Sequence, residues 1–89
     1  MARVHFTPNL ERHVECPTSE VAGSTLREVL DAVFEGNPRL RGYVLDEHGA
    51  LRRHMVVFID GLAARDRRGL GDAVGDDAEV FVMQGLTGG

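Results

Sequence analysis

The residues of this sequence best suited to chemistry are two glycines, Gly88 and Gly89, which follow the short run of small residues that begins at Gly85. Because glycine has no Cβ, the backbone at these positions can lie against another backbone and can adopt positive φ angles. Five extended residues reach roughly 17 Å, so such a segment can enter a narrow channel in another protein. We therefore expect residues 85–89 to form a flexible tail that delivers the carboxyl group of Gly89.

Other residue types in the chain offer weaker chemistry. No recurring metal-ligand spacing connects the histidines, which are His5, His13, His48 and His54. One cysteine, Cys16, adds little to them, so no metal site is expected. Cys16 has no charged or metal-binding cluster nearby, which favours a structural thiol over a nucleophile. The acidic pairs Asp46-Glu47 and Asp76-Asp77 are typical of turns, and we expect no catalytic pairing.

Size and composition limit the class of protein. The 89 residues, 43% of them hydrophobic and 27% charged, are typical of one globular domain, which we expect over residues 1–89. No apolar stretch is long enough for a membrane span and no secretory signal is evident, so we expect a cytoplasmic protein that does not bind membranes. The net charge of −4 disfavours nucleic acid as a partner. The arginines at 65, 67 and 68 are interpreted as a solvated loop, with a partner-binding patch as the alternative.

The clearest element is a helix over residues 25–35. Thr25 and Glu28 have the spacing of a capping box, and Ser24 is an alternative cap one residue earlier. Apolar residues then recur at helical spacing in one stripe, which comprises Leu26, Val29, Leu30, Val33 and Phe34. This stripe predicts packing against a core.

The helix is followed by a stop signal and a predicted hairpin. Gly36 is placed for a left-handed C-terminal stop, and Pro38 prevents continuation of the helix. Residues 43–45 and 53–60 predict the two strands of a β-hairpin, with Gly49 at a positive φ in the turn between them.

The remaining extended runs complete a sheet. Alternating or apolar patterns predict further strands, which cover residues 2–7, 12–16 with 20–21, and 78–84. Asp60-Gly61 predicts a turn. Residues 62–77 are expected to be irregular, with Leu70 and Val74 on one short helical turn that fills the core. The element order predicts an α+β fold, in which one main helix packs across a mixed sheet of four to five strands.

Alternation along two of these strands predicts an apolar docking face. If Met55, Val57 and Ile59 point toward the helix, the intervening side chains point away from it. The same alternation predicts that every second residue of the last strand, residues 78–84, points outward. The outward residues are Val56, Phe58, Phe81 and Met83, and Leu86 of the tail joins them as a candidate partner-binding residue. Exposed apolar surface marks partner sites, where aromatic residues and methionine are favoured. The alternative is that loops cover these strands on both sides.

Several segments, in this order, resemble a known family. They are His54–Gly61, Leu70 with Val74, Asp77–Val80 and Leu86–Gly89, together with the helix. The arrangement resembles the ubiquitin-like β-grasp fold and, more narrowly, the MoaD/ThiS family of small sulfur carriers, which includes the cysteine-biosynthesis carrier CysO. The molybdopterin branch of that family commonly has a Pro-Pro pair where this chain has Gln84-Gly85. The thiazole, cysteine and other sulfur pathways therefore remain open beside it.

The resemblance implies a function for the tail. In the family, an adenylyltransferase related to ubiquitin-activating enzymes uses ATP to join AMP to the terminal carboxyl group, and a sulfur donor then displaces AMP. Gly89 would carry the resulting thiocarboxylate, and Gly88 would let enzyme channels accept it. A second enzyme would take the sulfur. The carrier itself would bind no cofactor, act as a protein substrate and not as an enzyme, and be a monomer when free.

Two other functions remain open from the sequence. The protein could be a modifier joined through Gly89 to lysines of other proteins, or a β-grasp interaction module without transfer chemistry. The chain contains no lysine, so it offers no side-chain amine on which its own chains could grow. Intact mass separates the first two functions, since a thiocarboxylate replaces one oxygen by sulfur, whereas conjugation gives a ladder of larger adducts.

Overall fold

The structure of the protein, a computed structural model, describes residues 1–6 and 18–84. Its elements are β1 (Ala2–Phe6), β2 (Ser19–Val21), α1 (Leu26–Gly36), α2 (Pro38–Val44), β3 (Met55–Ile59), β4 (Leu62–Ala63) and β5 (Glu79–Gln84). The strands form one sheet in the order β2-β1-β5-β3-β4. The central strand β5 is parallel to β1 and antiparallel to β3. The predicted α+β fold, with a main helix across a mixed sheet, is confirmed.

The core lies between α1 and one face of this sheet. Every residue of the predicted helical stripe is buried, as are the inward side chains of the sheet, among them Val4, Met55, Val57, Val80 and Val82. Removing a side chain of this size from water stabilises the fold by about 1.5–3 kcal/mol. These contacts hold β3 and β5 side by side and so fix which of their residues point outward.

The start of α1 is capped much as the sequence predicts. The Glu28 N–H donates to Thr25 Oγ1 at 3.3 Å, which confirms Thr25 as the N-cap. The Glu28 carboxylate reaches one residue further back than a capping box requires. It accepts from the N–H of Ser24 at 2.8 Å and from its hydroxyl at 2.9 Å. These bonds hold the pKa of Glu28 below its ordinary value.

The end of α1 differs from the prediction. Gly36 is the last helical residue and does not have a positive φ, so the predicted left-handed stop is wrong. Instead the Asn37 N–H donates to Val33 O at 3.1 Å and Phe34 O at 3.3 Å. Pro38 does end α1, but it also begins α2, because a proline fits the first turn of a helix, where its missing N–H needs no partner.

The predicted hairpin over residues 43–60 is wrong in its first strand. Tyr43 and Val44 form the last turn of α2, and Leu45 makes only an isolated bridge to Leu51. Short apolar runs do not separate helix from strand by pattern alone, and burial of the i, i+4 pair Leu40 and Val44 favours the helix here.

The turn that follows α2 is correctly predicted. Gly49 has a φ of 80°. The Asp46 carboxylate accepts from the N–H groups of His48 at 2.8 Å and Ala50 at 3.1 Å. These bonds lower the pKa of Asp46.

The segment between β3 and β5 is only partly irregular. Asp60 and Gly61 both have positive φ, 50° and 86°, and close a tight hairpin from β3 to β4, which the sequence analysis missed. A strand of two residues carries too little pattern to be recognised. The predicted turn at Asp60-Gly61 is confirmed.

Leu70 and Val74 are buried, as predicted, but not on one helical turn. The Leu70 N–H donates to Asp66 O at 3.0 Å and completes a single turn. Leu70 then adopts a φ of 55°, so the turn stops there, and the Val74 N–H donates to Ser24 O instead. The loop thereby docks on the start of α1.

Candidate functional site

The side chains of β3 and β5 alternate between the core and the opposite face of the sheet, as the sequence predicts. The inward residues Met55, Val57, Val80 and Val82 are fully buried, and Ile59 packs partly buried against the core. The outward residues are Val56, Phe58, Phe81 and Met83, here called the apolar face. Phe81 is 40% exposed and the other three are half-buried.

Strand pairing brings the four residues of the apolar face into contact range. Phe58 lies opposite Phe81, and Val56 lies opposite Met83. Residues directly opposite on an antiparallel pair have Cβ atoms about 4.5–5.5 Å apart. The four side chains therefore form one continuous patch, and the described helices pack on the other side of the sheet. The alternative, in which loops cover these strands on both sides, does not hold at Phe81, which is 40% exposed.

A polar rim borders the apolar face along β1, β2 and the start of β5. It comprises Arg3, His5, Glu20 and Glu79. Arg3 lies between two carboxylates, 3.5 Å from Glu20 and 3.6 Å from Glu79. These side chains are half exposed, and ion pairs of that kind contribute little to stability. Their effect is to set a charged edge beside an apolar surface.

His5 connects the rim to the apolar face. Its ring stacks on the ring of Phe81, with 4.6 Å between centroids and 18° between planes. Its Nε2 lies 2.8 Å from Glu79 Oε1, and its Nδ1 lies 3.3 Å from the Thr18 hydroxyl. The imidazole is therefore held at both nitrogens and on one face, and it restricts the orientation of Phe81.

The set of Thr18, His5 and Glu79 has the hydroxyl–imidazole–carboxylate order of a nucleophilic triad. It lies on an open sheet face, and Glu79 is shared with Arg3. We therefore assign His5 no role as a catalytic base. Its role is to hold the ring of Phe81 in position. Sequence reasoning rejected His5 as a metal ligand in favour of a surface histidine on the first strand. Its neighbours become visible only when β1 is known to lie parallel to β5.

The central strand β5 ends beside the apolar face. Gln84, the last residue of β5, pairs with Met55, the first residue of β3. The last described residue of the central strand therefore lies at the end of the sheet that carries Met83 and Val56. The predicted tail residues Leu86, Gly88 and Gly89 lie outside the described residues.

The arginines at 65, 67 and 68, which the sequence analysis interprets as part of a solvated loop, differ in their burial and contacts. Arg67 is half-buried, and its Nη2 donates to Arg52 O at 2.8 Å and to Met55 O at 2.6 Å. Arg65 lines a shallow pocket with Ile59 and Asp60 at the far end of β3. Arg67 therefore belongs to the tail end of the sheet and Arg65 to the opposite end.

Metal-ligating residues do not cluster in the described part of the chain. No group of three or more histidine, cysteine, aspartate or glutamate residues is placed to hold an ion there, while His13 and Cys16 lie outside it. None of the helices between residues 18 and 84 is long and apolar enough to cross a membrane.

The sequence matches no protein-family model and no curated protein. Solved structures do match it over nearly the whole chain. SAMP1 from Haloferax volcanii superposes with a TM-score of 0.77 at 25% identity, covering 99% of this chain and 98% of that one. A chain of the Amycolatopsis orientalis BexX/CysO complex gives 0.83 at 22% identity, covering 100% of both. CysO of Mycobacterium tuberculosis gives 0.82 at 19% identity, covering 97% of this chain and 100% of that one. The chain has the ubiquitin-like β-grasp fold.

The predicted resemblance of this β-grasp chain to ubiquitin-like small sulfur carriers and modifiers is confirmed by these neighbours. The neighbours include CysO, which the sequence analysis names within that family, and SAMP1, a small archaeal modifier protein. The β-grasp chain supplies a continuous apolar face, a polar rim and the end of β5 at which the tail begins. Chemically, this arrangement is suited to recognition by another protein.

Proposed function

We propose that this protein is a sulfur carrier that acts through the α-carboxyl group of Gly89. An adenylyltransferase related to ubiquitin-activating enzymes binds the apolar face and receives the tail in a narrow channel. The observation that supports this proposal most is that the strand carrying half of the apolar face is also the strand from which the tail continues. The apolar face lies on β3 and β5, and the tail begins where β5 ends, at the Gln84–Met55 pair.

The proposed chemistry starts from an unreactive group. A carboxylate is a poor electrophile, because its negative charge repels nucleophiles. In the enzyme, the Gly89 carboxylate attacks the α-phosphorus of ATP and pyrophosphate leaves, which gives a mixed anhydride with AMP. A sulfur donor then displaces AMP and leaves a thiocarboxylate. Gly88 and Gly89 present no side chain, so the channel can close around the backbone on both sides. ATP belongs to the enzyme, and the carrier binds no cofactor.

The apolar face supplies the affinity in this proposal. Binding energy at protein interfaces is concentrated in a few buried residues, with aromatic side chains prominent among them. Phe81 is the most exposed residue of the face, and Phe58 lies opposite to it. Val56, Met83 and Leu86 complete the contact toward the tail.

The thiocarboxylate is a stronger nucleophile than the carboxylate and hands its sulfur to an acceptor enzyme. The product is a sulfur-containing metabolite made in the cytoplasm, where the partner finds its ATP. Molybdopterin, cysteine, the thiamine thiazole and other compounds are all compatible with this chemistry. The solved complex of CysO with BexX, from Amycolatopsis orientalis, supports a separate partner enzyme.

A pyrophosphate-exchange assay tests the proposal. The adenylyltransferase of the same organism is mixed with the carrier, ATP and labelled pyrophosphate, and label should enter ATP only when the carrier is present. A variant with one tryptophan added after Gly89 should give no exchange, while its thermal unfolding matches the unmodified protein. Full exchange with the extended chain would refute the role of Gly89.

A second function is favoured by one observation, the likeness to SAMP1, a modifier protein, at 25% identity. In that case Gly89 would form amide bonds with lysines of other proteins. Intact mass spectrometry of the protein recovered from its own cells separates the two. A thiocarboxylate exchanges one oxygen for sulfur in the free chain, whereas a modifier appears as a ladder of larger adducts.

A further inference from the structure

Three arginines lie near the end of the sheet at which β5 stops, on the side of β3 that faces away from β5. Arg52 and Arg53 lie in the turn that enters β3, and Arg67 reaches this turn from the loop after β4. We call Arg52, Arg53 and Arg67 the basic collar. Met55, to whose carbonyl Arg67 donates, is the partner of Gln84 at the end of β5. Arg67 therefore lies across β3 from Gln84, at the same end of the sheet.

Backbone carbonyl groups hold two members of the basic collar in place. Arg67 Nη2 donates to the carbonyl oxygens of Arg52 and Met55, and Arg52 Nε donates to Gly42 O at 2.7 Å. Carbonyl groups position a guanidinium without cancelling its charge. None of the three arginines lies within ion-pair distance of a carboxylate among residues 1–6 and 18–84. The Asp46 carboxylate accepts N–H bonds from Ala50 and His48, which lower its pKa most, and the charge of Arg52 adds a smaller effect in the same direction.

The opposite end of β5 carries the other sign of charge. Asp76 and Asp77 precede the strand, Glu79 begins it, and the Asp60 carboxylate accepts from the Glu79 N–H at 2.9 Å. Five residue steps along the strand separate Glu79 from Gln84, which is roughly 17 Å. Although the protein has a net charge of −4, the tail end is locally positive.

We propose that the basic collar contacts an acidic rim around the mouth of the channel that receives the tail, and that the charge asymmetry along β5 turns the tail toward that channel. The proposal rests on the proposed function and names one feature of the activating enzyme, a ring of carboxylates at its channel entrance. Complementary charges of this kind raise association rates and set orientation more than they raise affinity.

Two other anionic occupants fit the collar less well. The phosphate of the adenylate forms at Gly89, roughly 17 Å along an extended tail from Gln84, which is beyond the reach of an arginine side chain at the tail's base. A nucleic acid would meet a protein of overall negative charge, which opposes its approach. An acidic protein surface next to the channel would lie within reach of the collar arginines. It also does not require the protein as a whole to be positively charged.

The test uses charge reversal at one collar residue and at a matched control. Arg53→Glu and Arg65→Glu change the net charge equally, but Arg65 lies beside Ile59 and Asp60 at the far end of β3. In pyrophosphate exchange at low salt, Arg53→Glu should raise the KM for the carrier about tenfold, and Arg65→Glu should change it less than twofold, with kcat unchanged in both. The difference should shrink as added salt shortens the screening length from about 10 Å at 0.1 M to about 3 Å at 1 M.

The outcomes separate this inference from the function on which it rests. Exchange by the wild-type protein with equal KM values for the two variants would overturn the acidic rim and leave the carrier function intact. A lower KM for Arg53→Glu would overturn it too, since it would indicate a basic channel mouth. Absence of exchange with the wild-type protein would overturn both. Thermal unfolding of each variant, expected to match the wild type, shows that the fold is retained.

Discussion

The ring of His5 lies flat on the ring of Phe81, 4.6 Å away, although 76 positions separate the two residues in the chain. The parallel pairing of β1 with β5 brings them together. Phe81 is the most exposed part of the apolar face, and His5 is itself held by Glu79 and Thr18. The surface proposed for docking is therefore ordered before a partner arrives, which lowers the entropy cost of binding.

Replacing Phe81 with aspartate should weaken binding of the activating enzyme without unfolding the protein. The side chain is 40% exposed and faces away from the core, but the change also removes the stack on His5, so we expect a stability loss of about 1–2 kcal/mol. Loss of an aromatic contact at an interface costs about 2 kcal/mol or more, which corresponds to a KM raised at least about 30-fold. Pyrophosphate exchange and urea unfolding measure the two effects. A large fall in stability would show that Phe81 belongs to the core.

Val82→Asp is the matched control for that substitution. Val82 is the next residue along β5 but is fully buried. A charge placed there has no partner, and we expect loss of the folded state. Circular dichroism should distinguish the two variants at once, and a folded Val82→Asp protein would contradict the assigned register.

Replacing His5 tests its positioning role. His5→Phe retains a ring to stack on Phe81 and loses the bond to Glu79, whereas His5→Ala loses both. Because stacked rings contribute about 0.5–1.5 kcal/mol beyond their buried area, His5→Ala should raise the KM for the carrier about threefold. His5→Phe should restore it.

A double-mutant cycle of His5→Ala with Phe81→Ala separates this role from general stability. The two effects on KM should be less than additive, because either change removes the stack. Strict additivity would show that His5 acts independently of Phe81.

Leu70→Ala should be among the most destabilising single substitutions. Leu70 is fully buried where the loop docks on α1, and truncation of a buried leucine costs about 2–5 kcal/mol. Leu62→Ala removes the same atoms from a side chain that is 75% exposed and should change the free energy of unfolding by less than about 0.5 kcal/mol. Urea titration measures both, and similar values for the two variants would contradict the burial of Leu70.

The loop that carries Leu70 should loosen in acid. The Asp66 carboxylate accepts N–H bonds from Gly69 at 2.8 Å and Gly71 at 3.1 Å, and these hold its pKa below the ordinary 3.8. N–H bonds from Arg65 and Asp66 lower the pKa of Asp72 in the same way. A carboxylate with a lowered folded pKa stabilises the fold fully above its unfolded pKa, and this stability is lost as the pH falls through the folded value.

Unfolding followed from pH 7 downward checks this expectation. The stability of the wild type should fall below about pH 4, and Asp66→Asn should be less stable at pH 7 with a shallower dependence on acid. An unchanged acid dependence in Asp66→Asn would show that this carboxylate does not hold the loop.

The order of apolar and polar residues predicted those elements in which buried and exposed positions recur at a regular spacing. The stripe of α1 needs only the helical period, and the inward and outward residues of β3 and β5 need only the period of a strand. Each of these periods repeats within a few residues, so both could be recognised from the sequence alone. The second helix was missed, because the burial of Leu40 and Val44 that favours it comes from contacts with distant elements.

The amino-acid sequence by itself determined the main helix and the direction of side chains on the apolar face, and it supplied the two glycines, Gly88 and Gly89, on which the proposed function depends. Covalent order and short-range sterics are sufficient for these features. Only the tertiary structure decided that His5 stacks on Phe81 and that Arg67 binds the carbonyl group of Met55 at the end of the sheet where β5 stops. Both relationships join segments far apart in the chain, and the burial of the shared core, which no local pattern encodes, sets which strands become neighbours.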